Sequence, residues 1–212
     1  MGGKKRAGAN SQPSGKPKKS ESRDSAARSI RADAQRNLDA LLQAAKTVFA
    51  ASGVNAPIRE IADLAGVGVG TVYRHFPQRA DLIAAVFRRE VDACAAVAPI
   101  LVAQHAPFEA LSHWMQRYAV FVGTKRGLAN ALHSGDPVYQ NLQGYFEQRL
   151  KPIMRSLVAA AVAARQIRGD VDADELLSAV SSLCMSAYTA GPGRAERMVA
   201  LLADGLRHGA GS

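Results

Sequence analysis

The chain has 212 residues, 48% of them hydrophobic and 21% charged, with a formal net charge of +9. This apolar fraction suffices for a buried core, yet no uncharged apolar run approaches the roughly 18 residues that indicate a membrane helix. The first 30 residues are basic and polar without a signal-peptide pattern, so composition argues against a membrane protein and predicts a soluble protein of the cytoplasm.

Residues 1–33 concentrate the positive charge, with nine Lys and Arg residues against three acidic ones. Residues 1–27 contain Gly, Ser, Pro, Lys and Arg with almost no large apolar side chain, which predicts a disordered basic tail. A basic arm beside a folded domain favours a polyanionic partner, because Lys and Arg release counterions from phosphates. The alternative is a solvated tail that only keeps the protein soluble.

From residue 38 onward the apolar residues recur with helical spacing. The first helix has one apolar stripe that Gly53 ends, and Pro57 suits the first position of a second helix. Gly66-Val67-Gly68 forms a break before a short third helix over 71–76. A fourth helix runs from Arg79 to about residue 97 and continues the apolar pattern.

Four further helices are predicted, over 107–123, 136–167, 173–189 and 194–207. Asp136 and Pro137 are expected to begin the second of these, with a kink at Pro152, and Asp172 is expected to cap the third. No stretch alternates well enough for a strand. The predicted class is therefore all-α.

The second and third helices, joined by a tight glycine turn, have the layout of a helix-turn-helix, whose second helix enters the major groove. Val69 and Thr71 are short and carry methyl groups that suit thymine, while Tyr73, His75 and Arg79 can donate to phosphates. The predicted DNA-contacting residues are Arg59, Gly68, Val69, Gly70, Thr71, Tyr73, Arg74, His75 and Arg79. A nucleotide-binding glycine loop at 66–70 lacks the strand that it needs.

Residues 34–82 resemble the DNA-binding domain of the TetR/AcrR family of regulators. The matching residues are Phe49 and Gly53, Ile58-Arg59-Glu60-Ile61-Ala62, Ala65-Gly66-Val67, Gly70-Thr71-Val72-Tyr73-Arg74-His75-Phe76, Arg79 and Leu82. The resemblance implies an all-helical homodimer, not an enzyme, whose N-terminal domain (28–82) binds double-stranded DNA. It also implies a regulatory and dimerisation domain (83–208) that binds a small-molecule effector, usually releasing a repressor from a palindromic operator. The run from Phe121 to Ala129 resembles the SbtR-like subgroup.

This chain has Ala56 and Gly68 where the family often has Ser or Thr as helix caps. We therefore expect no side-chain phosphate contact at these two positions. The last two predicted helices are apolar on more than one face, so we expect them to pack against their symmetry mates as a four-helix bundle.

An effector pocket is predicted from aromatic and polar residues of the C-terminal domain, namely His113, Trp114, Tyr118, Phe121, Tyr145, Met185 and Tyr188. Ordinary packing is the alternative for each of them. Capping explains the acidic cluster around Asp172 more simply than catalysis does. Cys94 and Cys184 are expected to be buried free thiols, and the five histidines lack metal-binding spacing, so no metal or cofactor is predicted.

Two other functions remain open at this point. One is a DNA-coating protein driven by the basic arm, which would bind all sequences equally with a steep salt dependence. The other is a helical enzyme or binding module with a vestigial helix-turn-helix. Repression and activation are also both compatible with the sequence.

Overall fold

The computed structural model describes residues 1–2, 19–132, 139–187 and 193–207, and side chains within 32–123, 139–185 and 193–207. These residues form eight α-helices and no strand, which confirms the all-α prediction. The helices are α1 (Lys19–Ser52), α2 (Ile58–Ala65), α3 (Val69–His75), α4 (Arg79–Gln104), α5 (Pro107–Leu132), α6 (Leu142–Ala163), α7 (Ala173–Ala187) and α8 (Arg194–Gly205).

The chain divides into two compact units, residues 1–37 and 38–212. In the first, Arg36 forms an ion pair with Asp33 one helical turn away. Residues 3–18 of the predicted tail lie outside the described residues. From Lys19 onward the tail is helical rather than irregular, because Glu, Arg and Ala replace the Gly and Pro of the preceding stretch.

In the second unit, the rest of α1 packs with α2, α3 and the start of α4 around apolar residues of a core that also includes the C-terminal helices. Leu41, Phe49, Ile61, Val72 and Leu82 are each at most 2% exposed and belong to this core. Gly53 follows α1 with φ +78°, as predicted for a glycine after a helix. Pro57, predicted as the first residue of the second helix, is the N-cap of α2, with φ −58° and ψ 134°, so the helix starts one residue later than predicted, at Ile58.

The C-terminal helices surround α5, which packs against α4, α6, α7 and α8. The helix α5 continues to Leu132, so the predicted end at residue 123 is wrong. Gly123 costs only about 1 kcal/mol inside a helix and does not stop it. Asp172 caps α7 as predicted, because its Oδ1 accepts from the backbone N–H groups of Asp174 and Glu175 at 2.9 and 2.8 Å.

The helix α6, which corresponds to the long helix predicted over 136–167, is shorter than predicted. Asp136 and Pro137 lie outside the described residues, and α6 starts at Leu142 and ends at Ala163. The helix continues through Pro152, and α4 contains a proline that the prediction did not use, Pro99. None of the described helices is both long and apolar enough to cross a membrane.

Candidate functional site

A three-residue turn, 66–68, joins α2 to α3. Gly66 caps α2 in the left-handed conformation, with φ 68°, and the N–H of Val67 donates to the carbonyl of Ala62 at 3.0 Å. Gly68 is extended and is the N-cap of α3, where its carbonyl accepts from the N–H of Thr71 at 2.8 Å. A left-handed φ favours glycine, which has no Cβ to crowd the backbone there, so Gly66 sets the direction in which α3 leaves α2.

The helix α3 has one buried side and one open side. Val72 is 1% exposed and packs in the core with Ile61, and Phe76 is half-buried against them. On the open side Val69 is 37% exposed and Tyr73 51% exposed. Val69 and Tyr73 together leave apolar surface in solvent on a helix of seven residues, where burial would have stabilised the fold. Such a face is typical of a surface that contacts a partner.

Most of the predicted DNA-contacting residues lie on or beside this open face. Gly68, Gly70, Arg74 and His75 are exposed, Thr71 is half-buried, and Arg59 is exposed on α2. Within the part of the chain that the structure describes, neither arginine forms an ion pair. Both guanidinium groups are therefore available to an anionic partner.

Arg79 has a structural role that the sequence did not reveal. Its Nη1 donates to the carbonyls of Val54 and Ala56 at 2.6 and 2.7 Å, so it ties the α1–α2 loop to the start of α4. A phosphate contact would have to use its remaining N–H groups. The two acceptors lie more than 20 residues away in sequence, and no local pattern indicates such a contact.

The helix α4 carries charged contacts to helices on both sides of it. Toward α1, Glu90 lies 2.8 Å from Lys46, and Arg89 lies 3.0 Å from Asp39. Toward α6, Asp92 accepts from the Tyr145 hydroxyl at 2.7 Å and from Arg149 at 2.8 Å. Residues 89–92 therefore connect the helix that supports α2 and α3 with a helix of the C-terminal domain.

A cavity of about 390 Å³ lies between α5, α6 and α7. Its lining residues are Tyr118, Val122, Gln143, Phe146, Glu147, Lys151, Leu177, Ser178, Ser181, Ser182 and Met185. Of the predicted pocket residues, Tyr118 and Met185 line it. The polar residues of α6 and the serines of α7 were missed, because their shared position depends on how two distant helices pack.

The other predicted pocket residues have different surroundings. Trp114 and Phe121 are buried, and the indole Nε1 of Trp114 donates to the carbonyl of Cys94 at 3.2 Å. Tyr145 is bound to Asp92, and His113 is exposed, with its ring 4.4 Å from that of His105. Tyr188 lies outside the described residues.

Aromatic rings fill the interior next to the cavity. Trp114 and Tyr118 are stacked at 5.6 Å, Tyr118 and Phe121 at 5.9 Å, and Phe121 and Phe146 at 6.1 Å. Burial raises the pKa of the Tyr118 hydroxyl, which stays protonated near neutrality. This stack forms the inner boundary of the open space, which begins at Tyr118 and Phe146.

Both cysteines are fully buried and have raised pKa values. Burial raises the pKa of Cys94 to about 12 and that of Cys184 to about 11, so neither is a thiolate at neutral pH. Among the described residues, no group of three or more His, Cys, Asp or Glu is arranged to hold a metal ion. The arrangement offers a surface and a cavity for binding.

Two known families match separate parts of the chain. Residues 41–86 match the family described as bacterial regulatory proteins, tetR family, and residues 106–208 match the C-terminal domain of SbtR-like transcriptional regulators. The first match covers α2 and α3 together with the end of α1 and the start of α4. The second covers α5 to α8, which include the helices that enclose the cavity.

Solved structures agree with these matches over most of the chain. A TetR transcriptional regulator from Streptomyces coelicolor is 35% identical, with a TM-score of 0.69, over 80% of this chain and 97% of that one. A TetR transcription regulatory protein from Mycobacterium vanbaalenii is also 35% identical, with a TM-score of 0.64, over 84% and 99%.

The curated relatives match over a short stretch of the chain. An HTH-type transcriptional regulator of Staphylococcus aureus (strain USA300) is 38% identical over 64 residues, which is 30% of this chain and 35% of that protein. This chain thus spans about a third of the length of the curated relatives that it matches.

Proposed function

Because this chain belongs to the TetR family of bacterial regulatory proteins, we propose that it acts as a homodimeric repressor of transcription. In this proposal α3 of each subunit enters the major groove of a palindromic operator, and a small-molecule effector releases the DNA. The observation that carries it is the open face of α3, where Val69 and Tyr73 are exposed beside Arg74 and His75. Its target, the chromosome, would place the protein in the cytoplasm.

We assign the residues of this face two kinds of contact. Val69, Gly70 and Thr71, at the start of α3, are small enough to approach base edges, and the methyl groups of Val69 and Thr71 suit thymine. Tyr73, Arg74 and His75 can donate to phosphate oxygens, which positions the domain without reading sequence. Gly68 supports close approach of the backbone, and Arg59 extends the basic surface onto α2.

Exposed apolar residues on the last two helices support the homodimer. Leu201 on α8 is 74% exposed, and Met185 on α7 is 52% exposed. Burying such side chains against a second copy would remove apolar surface from water, which favours association. Two-fold symmetry then presents α3 twice, and it predicts half-sites about one or more helical turns apart.

The helix α4 is the proposed lever, by which we mean the element that couples effector binding in the C-terminal domain to DNA binding by α3. Arg79, Arg89 and Glu90 bind the N-terminal helices, while Asp92 binds α6, which also lines the cavity. A ligand that favours one position of α6 therefore favours one position of α4, and with it one spacing of the two α3 helices. The ligand shifts the equilibrium by as much as its affinities for the two arrangements differ.

Operator selection from random duplex DNA, followed by gel-shift assays, tests DNA recognition. Tyr73→Ala should weaken binding to selected and random DNA alike and leave the salt slope unchanged, because a neutral hydroxyl releases no counterion, whereas Thr71→Ala should relax preference at particular bases. Arg165→Asn is the control, because it removes an exposed charge from the α6–α7 connection and Asn tolerates the φ of 55° found there. Unchanged binding by both α3 variants would refute the proposed interface.

The lever is tested by Asp92→Asn, which weakens the contact of α4 with Tyr145 and Arg149. We expect operator affinity to change about fivefold or more, the lower range of allosteric couplings, although Asp92 is not on the DNA-binding face. Gln148→Ala, at an exposed position of α6, is the control. An Asp92 variant with unchanged operator affinity would contradict the assignment of α4 as the lever.

A further inference from the structure

We infer that the cavity between α5, α6 and α7 takes an uncharged, hydrogen-bond-donating ligand: a small molecule with a hydroxyl group on an apolar body. The inference rests on the proposed function, since this ligand would be the effector. The charges, the hydroxyl groups and the apolar wall of the cavity support it.

The charged groups at the cavity are already neutralised by one another. Lys151 lies 3.3 Å from Glu147 and 3.9 Å from Asp174, and Asp174 is held by Arg155 through two bonds of 2.8 and 2.6 Å. Two cations thus balance two carboxylates. A charged ligand would lose its hydration here without gaining an unpaired counter-charge, which disfavours it.

The pKa directions agree with this balance. Hydrogen bonds from Gln143 and Lys151 lower the pKa of Glu147, and the bond from Arg155 lowers that of Asp174. Both carboxylates are therefore ionised near neutrality, as the pairing requires.

Three of the four hydroxyl groups of the wall, those of Tyr118, Ser178 and Ser181, have their protons directed away from the cavity. Ser178 donates to the carbonyl of Asp174 at 2.9 Å, and Ser181 donates to that of Leu177 at 3.1 Å. Since a hydroxyl has a single proton, the 2.6 Å bond between Tyr118 and Ser181 is donated by Tyr118. The three oxygens keep acceptor capacity.

Gln143 adds to this acceptor character. Its amide nitrogen donates one of its two N–H groups to Glu147 at 2.7 Å, and its amide oxygen keeps its acceptor capacity. A wall that offers mainly acceptors is satisfied by a ligand that donates, so a hydroxyl fits better than an ether at the same position.

The remaining wall is apolar and receives the body of the ligand. Phe146, Leu177, Val122 and Met185 supply this surface, and Phe146 belongs to the aromatic stack. The volume of about 390 Å³ lies within the range of small-molecule sites, roughly 300–1,000 Å³.

Four probes with one carbon skeleton test the inference on the full chain: 4-phenylbutan-1-ol, its methyl ether, 4-phenylbutyrate and 4-phenylbutylammonium. Binding is measured by calorimetry and by fluorescence of Trp114, the only tryptophan in the chain, which stacks on Tyr118. We expect the alcohol to bind about fivefold tighter than the ether, because only the alcohol can donate a hydrogen bond to the wall. We also expect it to bind tighter than either ion. Tighter binding of an ion, equal binding of the ether, or no binding of the alcohol would overturn the inference.

Two charge variants locate the site. Lys151→Gln leaves Glu147 and Asp174 in excess and should shift preference toward the ammonium probe by about two- to fivefold. Glu147→Gln should shift it equally toward the carboxylate. Ser156→Ala, at an exposed position of α6 outside the lining, is the control and should change nothing. Unchanged selectivity in both charge variants, with folding verified by circular dichroism, would place the binding elsewhere and overturn the assignment.

The outcome separates this inference from the proposed function. Operator selection with ligand-free protein tests DNA recognition without any probe. An operator together with the wrong probe order refutes only the ligand class. The expected probe order without any operator refutes the repressor and leaves the chemistry of the cavity supported.

Discussion

The ion pair between Lys46 on α1 and Glu90 on α4 provides a sharp test of how the N-terminal helices are held. The Glu90 side chain is 6% exposed and that of Lys46 is 29% exposed, with 2.8 Å between Nζ and Oε2. The contact is an ion pair rather than a well-aligned hydrogen bond, since Oε2 has no hydrogen-bond partner in the described part of the chain.

The two halves of the pair should respond unequally to substitution. Lys46→Met leaves a buried carboxylate without its partner, which costs about 3 kcal/mol or more. Glu90→Gln leaves an ammonium group that can turn toward solvent, so we expect about 1 kcal/mol. The double variant Lys46→Met with Glu90→Leu removes both charges and should recover most of the loss.

Urea unfolding followed by circular dichroism at a single protein concentration measures these differences, because association makes the apparent stability concentration-dependent. Asp39→Asn is the matched control: its ion pair with Arg89 also joins α1 to α4 but is exposed, so it should cost less than about 1 kcal/mol. The reasoning is refuted if Lys46→Met is no more destabilising than this control, or if the double variant is as unstable as Lys46→Met.

Three other predictions concern single groups. Arg79→Met should cost about 2 kcal/mol in urea unfolding, because two carbonyls lose a charged donor, and should leave the salt slope of DNA binding unchanged; a slope lower by about 1 would show a phosphate contact instead. Cys94 and Cys184, with pKa values raised to about 12 and 11, should react with Ellman's reagent only after unfolding, and fast labelling of the native protein would contradict their burial. Because Arg155 lowers the pKa of Asp174, their ion pair contributes its full stabilisation of the folded protein above pH 3.8, the ordinary pKa of Asp. This stabilisation is lost as the pH falls through the lower pKa of the folded state. The unfolding temperatures of the unsubstituted protein and of Asp174→Asn should therefore differ at pH 7 and converge at the acid end of a titration. A difference in unfolding temperature that persists in acid would contradict the role of this ion pair.

Local patterns in the sequence were enough for the helix-turn-helix. Gly53, Gly66 and Gly68 mark ends and starts of helices through backbone conformations that depend on neighbouring residues only. Apolar spacing likewise places Ile61 and Val72 in the core and leaves Tyr73 outside. Both the order of the helices and the open face of α3 follow from short-range rules, which is why a 50-residue stretch sufficed to predict them.

The cavity and the contacts of α4 depend on tertiary packing. Tyr118, Ser181 and Lys151 come from three helices, and only the packing of α5, α6 and α7 brings them to one space. Trp114 and Phe121 have the composition of pocket residues but stack in the interior, since periodicity places a side chain inward without telling what it meets there. The hydrogen bonds of Arg79 to the carbonyls of Val54 and Ala56 likewise depend on the folded structure. Periodicity in the sequence indicates which face of a helix is apolar but carries no information about polar partners that are distant in sequence.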